Sequence, residues 1–373
     1  MPKPRSRLRA AREQVLGLTR AKFAALVERE SGEPCDERMV WRWEHSGVKP
    51  RPARLRAVAT ITGLTVAELG WSDGVADPTV SGLGVLDHLA QAQASLRRAE
   101  DEVGARPVLP VALAQVRLVD TLARDARGSQ LRPLLREAAQ WSQFTAWLHS
   151  DLAIPAGAAE WYLRAGEQAR EACDADMVST VLSMRSHLAW GERQPGLAVG
   201  LADGALAVPG THPATRSQAA QQLARGLAML GESDRVDRLL DEAEGAAHAA
   251  VERAETVPPW LYFHNPARAR VQRAVAYTEA GRGREAAEVL SEAIGRTRPE
   301  EVRDRGWNYG RLAVAWAMAG EADAAIDAGR QAAAITSIAP SAHTAGELRR
   351  AARMLAHAGA DREAAELAEL ARA

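Results

Sequence analysis

The chain has 373 residues, 47% of them hydrophobic, and a formal net charge of −1, so it can bury a large core in two or three domains. It has no apolar run long enough to span a bilayer, and its polar, basic start does not resemble a signal peptide, so we expect a cytoplasmic protein without a membrane partner. Cys35 and Cys173 are too far apart in sequence to indicate a disulfide framework or a metal site.

Charge is distributed unevenly along the chain. Residues 1–71 contain 14 Lys and Arg and 8 Asp and Glu, a net charge of +6, whereas the remainder carries −7. A basic head on an acidic body indicates that the head is the part that meets a polyanion. The alternative is a solvated surface on which the charges happen to be uneven.

Residues 1–71 predict a compact all-helical domain. Thr19 and Asp36 are good N-caps for the second and third helices. Gly32 and Pro34, residue types that typically end a helix, follow the second helix. The segment GVKPRP ends the third helix. The five predicted helices are Ser6–Leu16, Arg20–Glu30, a third that starts at Asp36 and stops before Gly47, Ala53–Ile61 and Thr65–Trp71.

The third helix has two faces. Val40 and Trp43 are three residues apart and can both point into the core. Residues of the opposite face are charged or aromatic, and these are Glu37, Arg38, Trp41 and Arg42.

This region resembles the lambda-repressor-like helix-turn-helix domains of the XRE family. The matching pattern is a hydrophobic residue, then W-E-x-x-G, a Pro, and L-R-x-V-A-x-I-x-G-L-T-V-x-E-L, and the likeness covers most of residues 7–71. The residues that carry it are Val40, Trp43, Glu44, Gly47, Pro50, Leu55, Arg56, Val58, Ala59, Ile61, Gly63, Leu64, Thr65, Val66, Glu68 and Leu69.

The resemblance implies that the third helix enters the major groove of DNA. Arg38 and Arg42 would then bond to guanine, and Glu37 would accept from cytosine. The expected backbone contacts are Thr19, Arg20 and Lys22 at the start of the second helix, and Lys49 and Arg51 after the turn. Trp41 either touches DNA or packs against its own domain. For each charged residue, the alternative is a solvated charge.

Residues 72–84 have the composition of a linker, and residues 85–373 have helical spacing throughout. Small residues recur there at a period of about 39–50 residues, which resembles lengthened tetratricopeptide repeats in a right-handed α-solenoid of about seven or eight hairpins. The strongest repeat positions are Ala224, Leu227, Gly231, Val236, Leu240 and Ala243, then Ala274, Tyr277, Gly281, Ala286, Leu290 and Ala293, then Ala313, Trp316, Gly320, Ala325 and Ala332, then Ala352, Leu355, Gly359, Ala364, Ala368 and Ala371. Gly329 occupies a slot where a large residue is expected.

No motif for catalysis, phosphate binding or metal binding is present, so we expect no enzyme activity and no cofactor. His187 and His264 are interpreted as side chains that are hydrogen-bonded within the protein or exposed to solvent.

Resemblance to peptide-responsive helix-turn-helix and tetratricopeptide regulators of Gram-positive bacteria makes four residues ligand candidates: Arg185, Arg303, Trp307 and Asn308. A second polar and aromatic cluster contains Trp141, Gln143, Trp147 and Asp151. The alternative is that these are caps, core residues or surface charges.

Together these features predict a DNA-binding transcriptional regulator with a head at 1–71, a linker at 72–84 and a repeat domain at 85–373. The repeat domain would form a homodimer and sense a small molecule, a peptide or a protein. One alternative is a protein-interaction scaffold that the head only tethers to DNA. Another is a head that contacts protein instead of DNA.

Overall fold

The structure is a computed structural model that describes residues 5–45, 48–64, 69, 71, 78–296 and 301–372. All regular secondary structure in these residues is helical, which confirms the predicted all-α class. The chain divides into two compact units, Met1–Gly84 and Val85–Ala373. Within the described residues, no helix is both long and apolar enough to cross a bilayer.

Unit 1 is a cluster of short helices around one core. Its described helices are α1 (Arg5–Ala10, continued by a π-helical turn, Ala11–Val15), α2 (Arg20–Ser31), α3 (Glu37–His45) and α4 (Pro52–Thr62). The core includes Phe23, Val27, Val40, Trp43 and Val58.

Two predicted caps hold the starts of helices in unit 1. The Thr19 hydroxyl accepts a hydrogen bond from the Lys22 N–H at 3.3 Å, and Asp36 Oδ1 accepts one from the Met39 N–H at 2.7 Å. Both caps satisfy backbone donors that the first helical turn leaves unpaired. The predicted fifth helix falls mainly on residues 65–68 and 70, which lie outside the described residues, although Leu69 and Trp71 are buried.

Unit 2 and the segment that leads into it contain fourteen helices among the described residues. They are α5 (Pro78–Val103), α6 (Ala105–Asp125), α7 (Leu131–Asp151), α8 (Pro155–Glu171), α9 (Ala175–Gly191), α10 (Pro195–Leu206), α11 (Pro213–Met229), α12 (Ser233–Glu252), α13 (Pro266–Glu279), α14 (Gly283–Ile294), α15 (Val302–Met318), α16 (Ala322–Thr336), α17 (Ala342–His357) and α18 (Asp361–Leu370). Consecutive helices pack in pairs from α7 with α8 to α17 with α18.

The expected linker is partly wrong, because α5 already begins at Pro78. Proline is well suited to the first position of a helix, where its missing N–H would have no partner. The composition of residues 72–84 therefore concealed a helix start. Residues 72–77 lie outside the described part of the chain.

The repeat positions have the packing that the sequence predicts. Ala224, Ala274 and Ala313 are fully buried where helices approach one another. The turn glycines all have a left-handed backbone, with φ of +79° at Gly231, +77° at Gly281, +80° at Gly320 and +82° at Gly359. Two corresponding turns carry other residues in this conformation, Ala153 (φ 57°) and Arg193 (φ 59°), and Cys173 (φ 51°) adopts it between the pairs α7–α8 and α9–α10.

The presence of glycine at position 329, where the repeat pattern predicts a large residue, also has a physical explanation. A Cβ atom at this position would overlap the fully buried Leu367 side chain of α18. Leu367 thus fills the space that a large residue at 329 would otherwise occupy.

Candidate functional site

Helix α3 of unit 1 exposes the face that the sequence singles out. Glu37, Arg38, Trp41 and Arg42 are all exposed, while Val40 and Trp43 are buried. Trp41 is 46% exposed, and its ring stacks on His45 with the ring centroids 5.0 Å apart. This face therefore offers two guanidinium groups and an aromatic surface to a partner.

A buried ion-pair network fixes the end of α3 to the preceding helices. The Glu44 side chain is fully buried, and it accepts hydrogen bonds from Arg12 Nε at 2.6 Å and from Arg20 Nε at 2.7 Å. Arg12 also donates to the Leu18 carbonyl at 2.7 Å. These bonds set the orientation of the exposed α3 face.

The predicted backbone-contacting residues lie near the surface of unit 1. Thr19, Lys22, Lys49 and Arg51 are exposed. Arg20 is half-buried, and its Nε is engaged by Glu44. Arg20 therefore has a structural role in addition to the predicted phosphate contact.

Unit 2 contains a cavity of about 90 Å³. Its walls come from α5, α7, α9, α11, α13 and α15, together with the segment 260–264. Five guanidinium groups and two carboxylates line it, which leaves a formal charge of +3. The charged residues are Arg97, Arg225, Arg268, Arg303, Arg311, Glu100 and Asp304.

Two of these arginines are neutralised by acids. Arg303 forms ion pairs with Glu100, with Asp304 at 2.9 Å and with Asp101 at 3.1 Å. Arg268 NH1 lies 2.5 Å from Asp304 Oδ2. Burial raises the pKa of Asp304, but the nearby cations Arg268 and Arg303 outweigh it and hold this pKa well below its usual value.

The other three arginines have no carboxylate within ion-pair distance among the described residues. Arg225 is 2% exposed and bonds to Gln222 and to His187 Nδ1 at 3.1 Å. Arg311 is 4% exposed and donates to Asn308 Oδ1 at 3.1 Å. The third is Arg97, whose NH2 donates to Gln143 Oε1 at 2.9 Å.

Burial and neighbouring charge lower the pKa values of these groups. Burial brings the pKa of Arg225 to about 10 and that of Arg311 to about 9, and the Arg268 charge contributes in both cases. Both guanidiniums are still charged at neutral pH. Burial also lowers the pKa of His264 to about 4 and that of His343, which stacks on Trp307, to about 3.

Aromatic rings support the guanidinium groups. Arg311 Cζ lies 3.7 Å from the centre of the Trp307 ring, and Arg225 Cζ lies 4.2 Å from that of Trp190. Such cation–π contacts stabilise a desolvated cation by about 0.5–2 kcal/mol, which offsets part of the cost of burial. The site thus holds buried cations that form no direct ion pair, although Glu279, Glu347 and Asp304 lie close enough to raise one or both of their pKa values.

The four predicted ligand residues fall in different places. Arg303 and Trp307 line the cavity. Asn308 is buried, borders a neighbouring cleft and accepts from Arg311. Arg185 is half-buried and is not part of the cavity wall.

The second predicted cluster is divided in the same way. Gln143 and Trp147 line the cavity, whereas Trp141 belongs to the core. Asp151 is buried and accepts from the Ser341 hydroxyl at 2.6 Å. His187 and His264, interpreted from sequence as having no function, are both in the cavity wall.

Sequence reasoning missed Arg97, Arg225 and Arg311. One signal for Arg225 was present on α11, where Gln218, Gln221, Gln222 and Arg225 follow the i, i+3, i+4, i+7 spacing of one helix face. All four are buried. A stripe of long polar side chains on a largely buried helix indicates an internal polar site.

No protein-family model matches the sequence, and no curated protein matches it either. Among solved structures, a Rap protein complexed with competence and sporulation factor is similar at a TM-score of 0.51 and 10% identity, over 77% of this chain and 74% of that one. PlcR of Bacillus thuringiensis, in complex with the peptide PapR7 and DNA, matches at a TM-score of 0.32 and 12% identity, over 96% and 99%. BtubC from P. vanneervenii matches at 0.39 and 17%, over 63% and 92%. The likeness to the Rap protein shows a tetratricopeptide-like helical solenoid.

Proposed function

We propose that this chain is a sequence-specific DNA-binding transcriptional regulator. Unit 1 is a lambda-repressor-like helix-turn-helix domain of the XRE type, and α3 is its recognition helix. One observation carries the proposal: α3 exposes Arg38 and Arg42 while the buried Glu44 ties the same helix to Arg12 and Arg20. An exposed basic helix held rigidly by its opposite face is suited to reading base edges in the major groove.

In this proposal, unit 2 is a tetratricopeptide-like domain that forms a homodimer and senses a ligand, with no catalytic activity. Two heads of a dimer would contact half-sites about 34 Å apart, or a multiple of that distance. Ligand binding would shift the population of arrangements in which both heads match the operator. The cavity of unit 2, with three buried arginines that lack acidic partners, supports ligand sensing. We place the protein in the cytoplasm on the basis of its sequence.

Selection of DNA fragments by the full chain, followed by affinity measurements on two variants, tests the proposal. Arg42→Ala should cost about 1–3 kcal/mol on the selected sequence and relax base preference, because a bidentate contact to guanine is lost. Lys49→Ala should weaken binding to all sequences alike, because a phosphate contact carries no sequence information.

Equal and uniform losses in the two variants would refute α3 as the reading element. If the full chain selects no DNA at all, the scaffold and protein-contact alternatives become the better accounts of unit 1.

A further inference from the structure

The cavity of unit 2 contains buried hydrogen-bond donors that have no acceptor. Arg225 Nε and NH1, Arg311 Nε and Trp307 Nε1 are all inaccessible to solvent and have no partner among the described residues. Buried polar atoms in folded proteins are nearly always hydrogen-bonded, so a group of unpaired donors in one cavity indicates a missing acceptor. Gln218 Oε1 in the same wall is an unpaired acceptor, so these donors outnumber it, and their excess points to an acceptor with several oxygen atoms.

The charge balance indicates that this acceptor is an anion. Arg225 and Arg311 lie close enough for the charge of the first to lower the pKa of the second, and neither touches a carboxylate. A buried cation is strongly disfavoured unless an opposite charge accompanies it. The carboxylates of Glu279, Glu347 and Asp304 act on these charges from a distance without forming an ion pair. A neutral ligand would therefore leave both guanidiniums without a direct counter-charge, and a cationic ligand would add to the positive charge.

The remaining walls favour an organic body on the anion. Phe144, Trp147, Trp260 and Leu261 line the same cavity and offer apolar and aromatic surface. The space of about 90 Å³ is smaller than the roughly 150 Å³ of a cavity that holds benzene, so the ligand is compact or displaces side chains when it binds. A planar acid can combine contacts to guanidinium groups with stacking on indole rings.

We propose that unit 2 binds a small organic oxyanion, a carboxylate or a phosphate monoester, whose charged group lies between Arg225 and Arg311. The unpaired Nε and NH1 of Arg225 and the unpaired Nε of Arg311 donate hydrogen bonds to the oxyanion, and the aromatic walls contact its apolar part. This inference rests on the proposed ligand-sensing function and names the class of ligand. It assigns the ligand to a cationic cavity formed by α9, α11 and α15 together with their neighbours.

The test is isothermal titration calorimetry of the full chain with benzoate, phenyl phosphate and inorganic phosphate. Neutral benzamide, which has the shape of benzoate without its charge, is the ligand control. We expect an anion to bind and benzamide not to bind. Binding of benzoate alone assigns a carboxylate site, and binding of phenyl phosphate or inorganic phosphate assigns a phosphate site.

Arg225→Gln and Arg311→Gln should each weaken anion binding about tenfold or more, because each removes a charged hydrogen-bond donor. Arg235→Gln is the matched control: Arg235 is 52% exposed in the same unit and pairs with Glu232, so its loss should leave binding unchanged. Thermal unfolding of each variant reports whether it folds.

Equal affinity for benzamide and benzoate would overturn the proposal. So would the absence of binding by every anion, or a folded Arg225→Gln variant that binds as tightly as the control variant. DNA binding is measured on the same preparations to separate the two claims. DNA binding without anion binding refutes only the ligand class, whereas anion binding without DNA binding refutes the proposed regulator.

Discussion

Replacing Glu44 with Gln tests whether buried ion pairs set the position of α3. The Glu44 side chain is fully buried and receives charged hydrogen bonds at 2.6 Å from Arg12 and 2.7 Å from Arg20. Gln has nearly the same shape, but it has no charge and only one acceptor oxygen. The substitution therefore removes the interaction with little change in packing volume.

The expected loss follows from the burial of the two arginines. Removing one member of a buried ion pair costs about 3–5 kcal/mol, because the remaining charge is left without a partner. The Arg12 side chain is 3% exposed and would keep only its pair with the more exposed Glu13 at 2.8 Å, whereas that of Arg20 is 31% exposed and can turn to solvent. We therefore expect the lower end of the range, about 3 kcal/mol.

Hydrogen exchange of the full chain, followed by mass spectrometry, measures this loss locally. Peptides that cover Glu37–His45 should exchange about a hundredfold faster in Glu44→Gln, because each 1.4 kcal/mol or so of opening free energy corresponds to a factor of ten. Glu33→Gln is the control, since the Glu33 side chain is 37% exposed, pairs with the half-buried Arg54 at 3.2 Å and should contribute less than the fully buried Glu44. If the two variants exchange at the same rate in α3, the buried network does not hold the helix.

Three further substitutions probe unit 2. Ala153→Gly should raise the free energy of unfolding by about 0.5–1 kcal/mol in urea titrations, because Ala153 has a φ of 57° and glycine adopts this conformation without steric strain. Gly329→Ala should lower the free energy of unfolding by about 1–3 kcal/mol, and with it the thermal midpoint, because the added Cβ atom overlaps the Leu367 side chain. An unchanged midpoint would contradict that packing. Burial raises the pKa of Glu137 to about 7, although the charge of Arg97 opposes the shift. Between about pH 4.3, the ordinary pKa of Glu, and about pH 7, the folded chain therefore holds a proton that the unfolded chain releases. The free energy of unfolding consequently falls as the pH rises through this range. Glu137→Gln should accordingly stabilise the chain by roughly 1–3 kcal/mol at pH 8 and by little at pH 4, and an equal gain at both pH values would show that the carboxyl is not the cause.

Local signals explain why the helices of unit 1 were predictable. The caps at Thr19 and Asp36 depend on residues within three positions in the chain, so the sequence displays them directly. The helix start at Pro78 was missed because the same residue type also marks linkers. Repeat positions such as Gly231 and Gly281 were visible because each turn needs a left-handed backbone, and glycine supplies it at low cost.

The cavity was only partly predictable because its walls come from distant parts of the chain. Arg97 and Arg311 line one cavity although they are far apart in sequence, and no local pattern relates them. Arg185 on α9 lies outside this cavity for a simple reason: successive helical residues are about 100° apart, so the cavity-lining His187 points almost opposite to it. Trp307 and Arg311 are four residues apart and both line the cavity, whereas Asn308, three residues before Arg311, borders the neighbouring cleft and accepts from Arg311.

Salt-dependent DNA binding by the full chain tests the central claim most directly. Fragments selected from a random library are titrated with the chain at several salt concentrations, and the slope of log K against log salt is measured. We predict a preferred sequence and a negative slope of about 0.9 per phosphate contacted. Failure to select any sequence, or binding that does not change with salt, would contradict the proposal that unit 1 reads DNA.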